Sequence, residues 1–315
     1  MATESVVSRA LASIEATLSA AQQERGAGEI ELDSPGDEAR ALLVSLLDVR
    51  RSWPVHHHDE LLAPSVVDAL ERAAAKRARG APIQYATGRA AFRHLTLDVD
   101  ERVLIPRPET EVLVDLALAR GSGGTVVDVG TGSGCIALSL ASEGKFDRVI
   151  ATDVSTGALL VASANAARLH GVMSAPIEFR HGSLLAPMAG ERVRMIVSNP
   201  PYIAAAEAAA LPALVRDWEP AVALYSAEDG MSHITTLARD AGPILEPGGW
   251  LLLEVDARRA EVAAETVRGA GWYDEVAVHR DLTGRPRFVV ARRRADEAEP
   301  LPNVHAPARA QSGAR

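Results

Sequence analysis

Thr125-Val-Val-Asp128-Val-Gly130-Thr-Gly132-Ser-Gly134 runs straight into Cys135-Ile-Ala-Leu-Ser-Leu-Ala-Ser142. A β-branched run, a turn with three glycines and an apolar stretch of helix formers follow one another. That order, strand then glycine turn then helix, reads as the opening unit of an α/β sheet. Glycine permits a positive-φ turn and lets a ligand lie against bare backbone. The dinucleotide fingerprint needs G-x-G-x-x-G, and its third glycine would fall at Cys135. The spacing here is G-x-G-x-G, and no Gly-Lys-Ser/Thr follows to make a nucleotide-triphosphate loop. A nucleoside bound without a pyrophosphate fits this turn.

Asp153 closes the next predicted strand, at the distance from the turn where a carboxylate accepts both hydrogen bonds of a ribose diol and repels a 2′-phosphate. Asp128, Gly130 and Gly132 together with Asp153 fit S-adenosylmethionine, its adenosine along the second strand's end and its charged methionine part at the turn. Cys135 opens a helix, where a thiol pKa can fall. With no base nearby in the sequence, it reads as a small packing residue.

Downstream, strands and helices keep alternating. Helices are predicted over 109–119, 135–142, 156–169, 230–244 and 258–270. Strands are predicted over 125–129, 148–152, 177–180, 193–198, 250–255 and near 275–279 and 287–291. This alternation implies a parallel sheet covered by helices on both faces. Upstream the pattern is different. Val6, Leu11, Ile14 and Leu18 recur at helical spacing. Asp37 to Val49 and Val66 to Arg79 form two more helices, the first after the turn signal Asp33-Ser-Pro-Gly36 and the second stopped by Gly80. Between the two regions, Leu95, Leu97 and Val99 alternate with polar residues as a strand, and Val103-Leu104-Ile105 is its expected hairpin partner.

The predicted strand Val193–Ser198 ends on Asn199-Pro200-Pro201-Tyr202. Two prolines fix φ, lack N–H donors and force their predecessors to be extended, so the loop is rigid. The Asn199 oxygen and the Pro200 carbonyl are free to accept, and Tyr202 adds an aromatic face. In a doubly wound sheet the first and fourth strands are neighbours at the switch point, where ligands bind. Two acceptors beside a methyl donor fit a planar –NH2 group, whose lone pair they would aim at the methyl.

Composition narrows the partners. The chain has 315 residues, 47% of them hydrophobic, which excludes a wholly disordered chain. The net charge of −9 argues against bare nucleic acid or an anionic membrane as main partner. Of the 33 basic residues 31 are arginine, which reads as coding bias in so alanine-rich a chain. One cysteine excludes an internal disulfide and a Cys-built zinc site. His56-His57-His58-Asp59 lacks metal-ligand spacing and reads as a solvated loop, so no metal is expected. Arg292-Arg293-Arg294 reads as the charged end of the last strand. With no leader and no long apolar run, the cytoplasm is expected.

These residues resemble the glutamine-N5 protein methyltransferases, most closely the branch that modifies peptide-chain release factors. Pro82-Ile-Gln-Tyr85-Ala-Thr-Gly88 with Phe92 resembles the family's domain junction. Ile105-Pro106-Arg107-Pro108-Glu109-Thr110-Glu111 resembles its pocket-covering segment. Asp128 to Gly134, Asp153, Asn165, Asn199 to Tyr202, Glu219-Pro220 with Ala223-Leu224, Asp229-Gly230, Pro247-Gly-Gly249 and Asp281-Leu-Thr-Gly284 follow in family order. The resemblance implies a helical substrate-docking domain (residues 1–85), a β-hairpin linker (86–107), a seven-stranded Rossmann-like methyltransferase domain (108–294) and a disordered tail (295–315). It implies S-adenosylmethionine held by Asp128, Val129, Gly130, Thr131, Gly132, Asp153, Leu184 and Asn199, and a catalytic loop of Asn199, Pro200, Pro201 and Tyr202. The implied substrate is the glutamine of a release factor's Gly-Gly-Gln loop, with no membrane and no direct nucleic-acid partner.

Three other readings remain open at the level of sequence. The same loops serve adenine and cytosine amino-methyltransferases, which need a basic, target-reading surface. A related enzyme could act on another protein or a small-molecule amide. A non-catalytic module could keep the fold, although an intact Asn199 to Tyr202 with an intact Asp153 argues against it.

Overall fold

The computed structural model describes residues 5–25 and 34–295. Asp33 and the expected tail beyond Ala295 lie outside the described residues.

The N-terminal third is helical, as its periodicity predicts. Helices α1 (Val7–Arg25), α2 (Pro35–Leu47) and α3 (Pro64–Ala78) pack on one another. Ser34 caps α2 by accepting the Asp37 N–H, and Pro35 pre-sets the first turn. Ile14, Leu18, Leu42, Leu43 and Leu70 form the bundle's core. Within it Arg77 makes a two-pronged pair with Glu38, both contacts at 2.6 Å, and neither side chain reaches solvent. Ser5–Val6 and Leu61–Leu62 add a two-residue antiparallel pair that the sequence pattern did not announce.

The hairpin differs from expectation. Leu95–Asp98 pairs with the preceding stretch Arg89–Phe92, not with Val103–Ile105. Arg93 takes the left-handed conformation (φ 52°) in the tight turn between them, and its guanidinium grips Glu143 at 2.7 Å through two nitrogens. Val103 and Ile105 are buried outside any strand. Side chains take up their backbone groups: the Tyr85 hydroxyl donates to the Val103 carbonyl, and the Ile105 N–H donates to Glu219. Prolines at 106 and 108 could not have supplied ladder donors in any case.

Helices α4 (Pro108–Leu118), α5 (Cys135–Glu143) and α6 (Thr156–Leu169) alternate with strands β1 (Thr125–Val129), β2 (Arg148–Asp153) and β3 (Ile177–His181). Then come β4 (Val193–Ser198), α7 (Ser232–Ile244), β5 (Leu245–Glu254), α8 (Ala260–Gly269), β6 (Tyr273–Arg280) and β7 (Pro286–Arg293). The seven strands form one sheet in the order β6-β7-β5-β4-β1-β2-β3. The expected parallel sheet is corrected at one strand. β7 runs antiparallel to both neighbours, because the turn at 281–284 is too short for a parallel crossover. Asp281 fastens that turn by accepting from Thr283, Arg285 and Arg287. Leu113, Leu138 and Val161 cover one face of the sheet, and Leu237, Ala263 and Val267 the other. α7 starts two residues later than predicted, after Glu228, Asp229 and Gly230, which all have positive φ.

β1 lies between β2 and β4, so the sheet reverses its winding beside β1. Val129 stands opposite Ser198, which brings the ends of β1 and β4 level. The Ser198 hydroxyl donates to the Val129 carbonyl at 2.7 Å and ties the two strand ends together.

The buried Glu38–Arg77 pair yields a stability prediction. Glu38→Gln leaves Arg77 charged in an apolar core and should cost about 3–5 kcal/mol. E38L/R77L should cost less than either Glu38→Gln or Arg77→Leu alone. Urea denaturation of the three variants measures this, and a Glu38→Gln midpoint equal to wild type would contradict it.

Candidate active site

Gly130 and Gly132 both adopt positive φ (75° and 55°), as the turn requires. A Cβ on either would meet no protein atom within 4 Å, so their bare faces look into open space. Gly134 differs: its Cβ would press on Leu138 and Ala162, so this glycine serves helix packing. The N–H groups of Gly130 and Thr131 donate back to the Thr152 carbonyl, which pins the turn onto β2.

Asp128 lies beneath this turn, wholly buried. One carboxylate oxygen accepts from the Thr131 hydroxyl (2.6 Å) and the Ala137 N–H (3.1 Å). The other oxygen has no partner. Burial pushes its pKa up to about 7, against the pull of those two hydrogen bonds. Thr131 is therefore spent on Asp128 and does not reach the cleft wall. Cys135 is no reactive thiol: burial and the nearby Asp128 push its pKa up to about 12.

Asp153 is half-buried at the end of β2. One of its oxygens accepts the Gly132 N–H (2.9 Å) and the other the Ser155 N–H (2.8 Å), which leaves each with a further lone pair to offer. Leu184 holds a left-handed backbone (φ 47°), a costly choice for its side chain. Its carbonyl accepts from the Thr152 hydroxyl.

A cleft enclosing about 750 Å³, part of it open to solvent, runs between these groups. Val129, Gly130, Gly132, Asp153, Leu184, Asn199 and Pro201 all line it, so the two sequence motifs share one cavity. Asp128, Thr131, Pro200 and Tyr202 are not among its lining residues; each is the chain neighbour of one that is. The Asn199 amide nitrogen donates to the Thr110 hydroxyl oxygen at 3.2 Å. Thr110 in turn donates to Glu254 at 2.8 Å. Burial pushes the Glu254 carboxyl up to about 7. Burial also raises the Tyr202 phenol to about 12, so it stays neutral.

The segment expected to cover the pocket sits one step away from it. Arg102, Val103 and Leu104 line the cleft, whereas Ile105 to Glu111 does not and reaches Asn199 through Thr110. Glu219 fixes this path by accepting from the Ile105 N–H and from Arg107. Asn165, buried, bridges Asp98 to the Ser133 carbonyl and so ties the hairpin to the glycine turn. His233 is a wall residue that sequence reading missed. Its ring bonds Ser226 at 2.8 Å, and burial lowers its pKa against the pull of the Pro201 backbone. Nothing local marks it, since it sits in the first turn of an ordinary amphipathic helix. Among the described residues no group of three His, Cys, Asp or Glu side chains could hold a metal. His57 stacks on Trp53, and His58 pairs with Asp59.

The model of the PrmC N-terminal domain matches residues 10–88, and that of the methyltransferase small domain matches residues 89–217. The release factor glutamine methyltransferase of Deinococcus radiodurans is 42% identical over 267 residues, which span 82% of this chain and 92% of that protein. The chain belongs to the release factor glutamine methyltransferases. The family's member from Xylella fastidiosa is 40% identical over 81% of this chain and 92% of its own length. Enterococcus faecalis has one that is 35% identical, over 82% and 94%. Among solved structures, the catalytic domain of hMettl16 superposes with a TM-score of 0.51 at 17% identity, covering 73% of this chain and 84% of that one; it shares the fold.

Asp128 makes the site pH-sensitive. Its raised folded-state pKa means that its contribution to stability is full below the unfolded value and is lost as pH rises through about 7. In the ligand-free protein, Asp128→Asn should be more stable than wild type near pH 8 and lose much of that advantage near pH 5. Urea midpoints at the two pH values decide, and an advantage that grows on acidification would contradict the assignment.

Proposed function

We propose that this chain transfers a methyl group from S-adenosylmethionine to the side-chain amide nitrogen of a protein glutamine, the one in the Gly-Gly-Gln loop of peptide-chain release factors. The observation that carries this reading is the shared cleft: the acceptor-rich Asn199 loop and the bare glycine turn face one cavity. The relatives' shared name supplies the substrate.

The residues present fit the methyl donor. Gly130 and Gly132 offer backbone with nothing in front of it, Asp153 keeps lone pairs for a ribose diol, and the unpartnered oxygen of Asp128 suits a cationic tail. S-adenosylmethionine supplies a methyl group already activated by its positively charged sulfur. The chain's task is then placement. The Asn199 oxygen and the Pro200 carbonyl accept the two amide hydrogens, which pushes electron density onto nitrogen and aims its lone pair at the methyl. Tyr202 gives the amide plane an apolar face. Orientation of this kind can supply about 7–11 kcal/mol. The alkylated nitrogen gives its proton to water at the cleft's open side.

Glutamine is favoured over a nucleobase by charge. The chain is acidic overall, and many arginines are engaged by its own acids, as Arg180 is by Glu178 and Glu191. In this reading residues 1–85 dock the protein substrate, residues 86–107 link, and residues 108–294 carry the chemistry, in the cytoplasm where release factors work. No helix among the described residues is long and apolar enough to cross a membrane.

Incubating the protein with labelled S-adenosylmethionine and, separately, release factor, ribosomal proteins and DNA tests this. Peptide mapping should place the label on the Gly-Gly-Gln glutamine; label on DNA alone, or on no glutamine, would overturn it. Asn199→Ala should lower kcat about 100-fold and leave cofactor Kd within about 2-fold. Asp153→Ala should do the reverse, weakening cofactor binding about 10- to 100-fold by calorimetry. Unchanged binding would remove Asp153 from the ribose site.

A further inference from the structure

An asparagine amide is nearly symmetric in shape and opposite in chemistry at its two ends. For Asn199 to accept from a substrate –NH2, its oxygen must face the cleft and its nitrogen must face away. Nothing in the Asn-Pro-Pro-Tyr loop itself selects that orientation. Behind Asn199 stand two residues from distant parts of the chain: Thr110 at the start of α4 and Glu254 at the end of β5. Both are buried, at 2% and 1% exposure, so water cannot stand in as their partner.

We infer that Thr110 and Glu254 are positioning residues that fix the Asn199 amide with its oxygen toward the cleft. The proposal rests on the reading that a glutamine amide binds there. An ionised carboxylate can only accept, so Glu254 takes the single Thr110 proton across 2.8 Å. Thr110 then has only lone pairs to offer, and Asn199 must turn its nitrogen to them across 3.2 Å. The flipped amide would set two acceptors face to face in a dry site and forfeit a hydrogen bond. A carboxylate thus sets the direction of a chain of hydrogen bonds that ends in the cleft, without touching the substrate.

The chain's direction holds only while Glu254 is ionised. Arg287 and Arg107 favour the ionised form, whereas burial and Glu109 oppose it; the Tyr202 phenol and the Cys135 thiol, both neutral, also face it. A protonated Glu254 can itself donate to Thr110, which frees the hydroxyl proton to turn to Asn199 and permits the flipped amide. Turnover should therefore fall on acidification through the titration of Glu254.

Three variants of the full chain test this: Thr110→Val, Thr110→Ser and Glu254→Gln. Glutamine methylation, cofactor Kd by calorimetry and melting temperature are measured for each, along with the side-chain amide signals of ¹⁵N-asparagine-labelled protein. Thr110→Val should lower kcat about 10- to 100-fold, with cofactor Kd within about 2-fold, and should abolish the exchange protection of the Asn199 amide protons. Thr110→Ser should keep kcat within about 3-fold and keep that protection, because it retains the hydroxyl. Glu254→Gln, which does not titrate and, like the protonated acid, can donate to Thr110, should flatten the acid limb of the pH profile at a turnover below that of the wild type near neutral pH. Wild-type kcat in Thr110→Val, or equal losses in Thr110→Val and Thr110→Ser, would overturn the proposal. The amide signals report orientation without turnover. If the wild type labels no glutamine, the reading of the site fails, while protected Asn199 protons would still uphold the orientation.

Discussion

The pairing of β1 with β4 is the constraint on which the site depends. Two loops separated by some seventy residues of sequence meet because Val129 and Ser198 are register partners at the sheet's point of reversal. Both strands are buried on both faces, so a slip of one residue would drive Asp128 and Ser198 into apolar layers. The Ser198 hydroxyl, bonded to the Val129 carbonyl, locks the same register with a polar contact that no slipped pairing could make. Once the two strand ends are level, the glycine turn and the proline-stiffened loop share one wall.

The rest of the wall is held by buried polar groups, three of the four joining segments far apart in the chain. Glu219 fastens the Ile105–Arg107 stretch, Glu254 fastens Thr110, Asp128 fastens its own turn, and Asn165 fastens the hairpin. Burial raises the pKa of all three carboxyls, the physical sign that each is out of water at a cost. An apolar residue would avoid that cost but would fix neither direction nor register. Such groups trade stability for a wall whose acceptors point one way.

Much of this was legible in the sequence, for reasons that also explain the misses. The strands Thr125–Val129 and Val193–Ser198 and the helix Thr156–Leu169 fall on their predicted bounds, because β-branched runs and helical periodicity are local signals closed by glycine, Asp or Ser-Asn-Pro. That the glycine turn, Asp153 and Asn199 meet at one cleft was legible because strand-end loops at the point of reversal are marked by residue type at fixed spacing. The hairpin partner was misread, since Val103-Leu104-Ile105 looks like a strand until Tyr85 and Glu219 are seen to occupy its backbone groups. The reversed β7 follows from a turn whose shortness matters only once the pairing is known. His233 and the Thr110–Glu254 pair carry no local signal at all, because their roles exist only across tertiary contacts.

The central claim is that the Asn199 loop holds a glutamine amide beside the cofactor turn. A crystal structure of the protein with S-adenosylhomocysteine and a Gly-Gly-Gln peptide tests it most directly. The predicted result is a glutamine side-chain nitrogen about 3 Å from both the Asn199 oxygen and the Pro200 carbonyl, with the ribose on Asp153. A glutamine bound elsewhere, or an Asn199 that turns its nitrogen to the amide, would contradict the account.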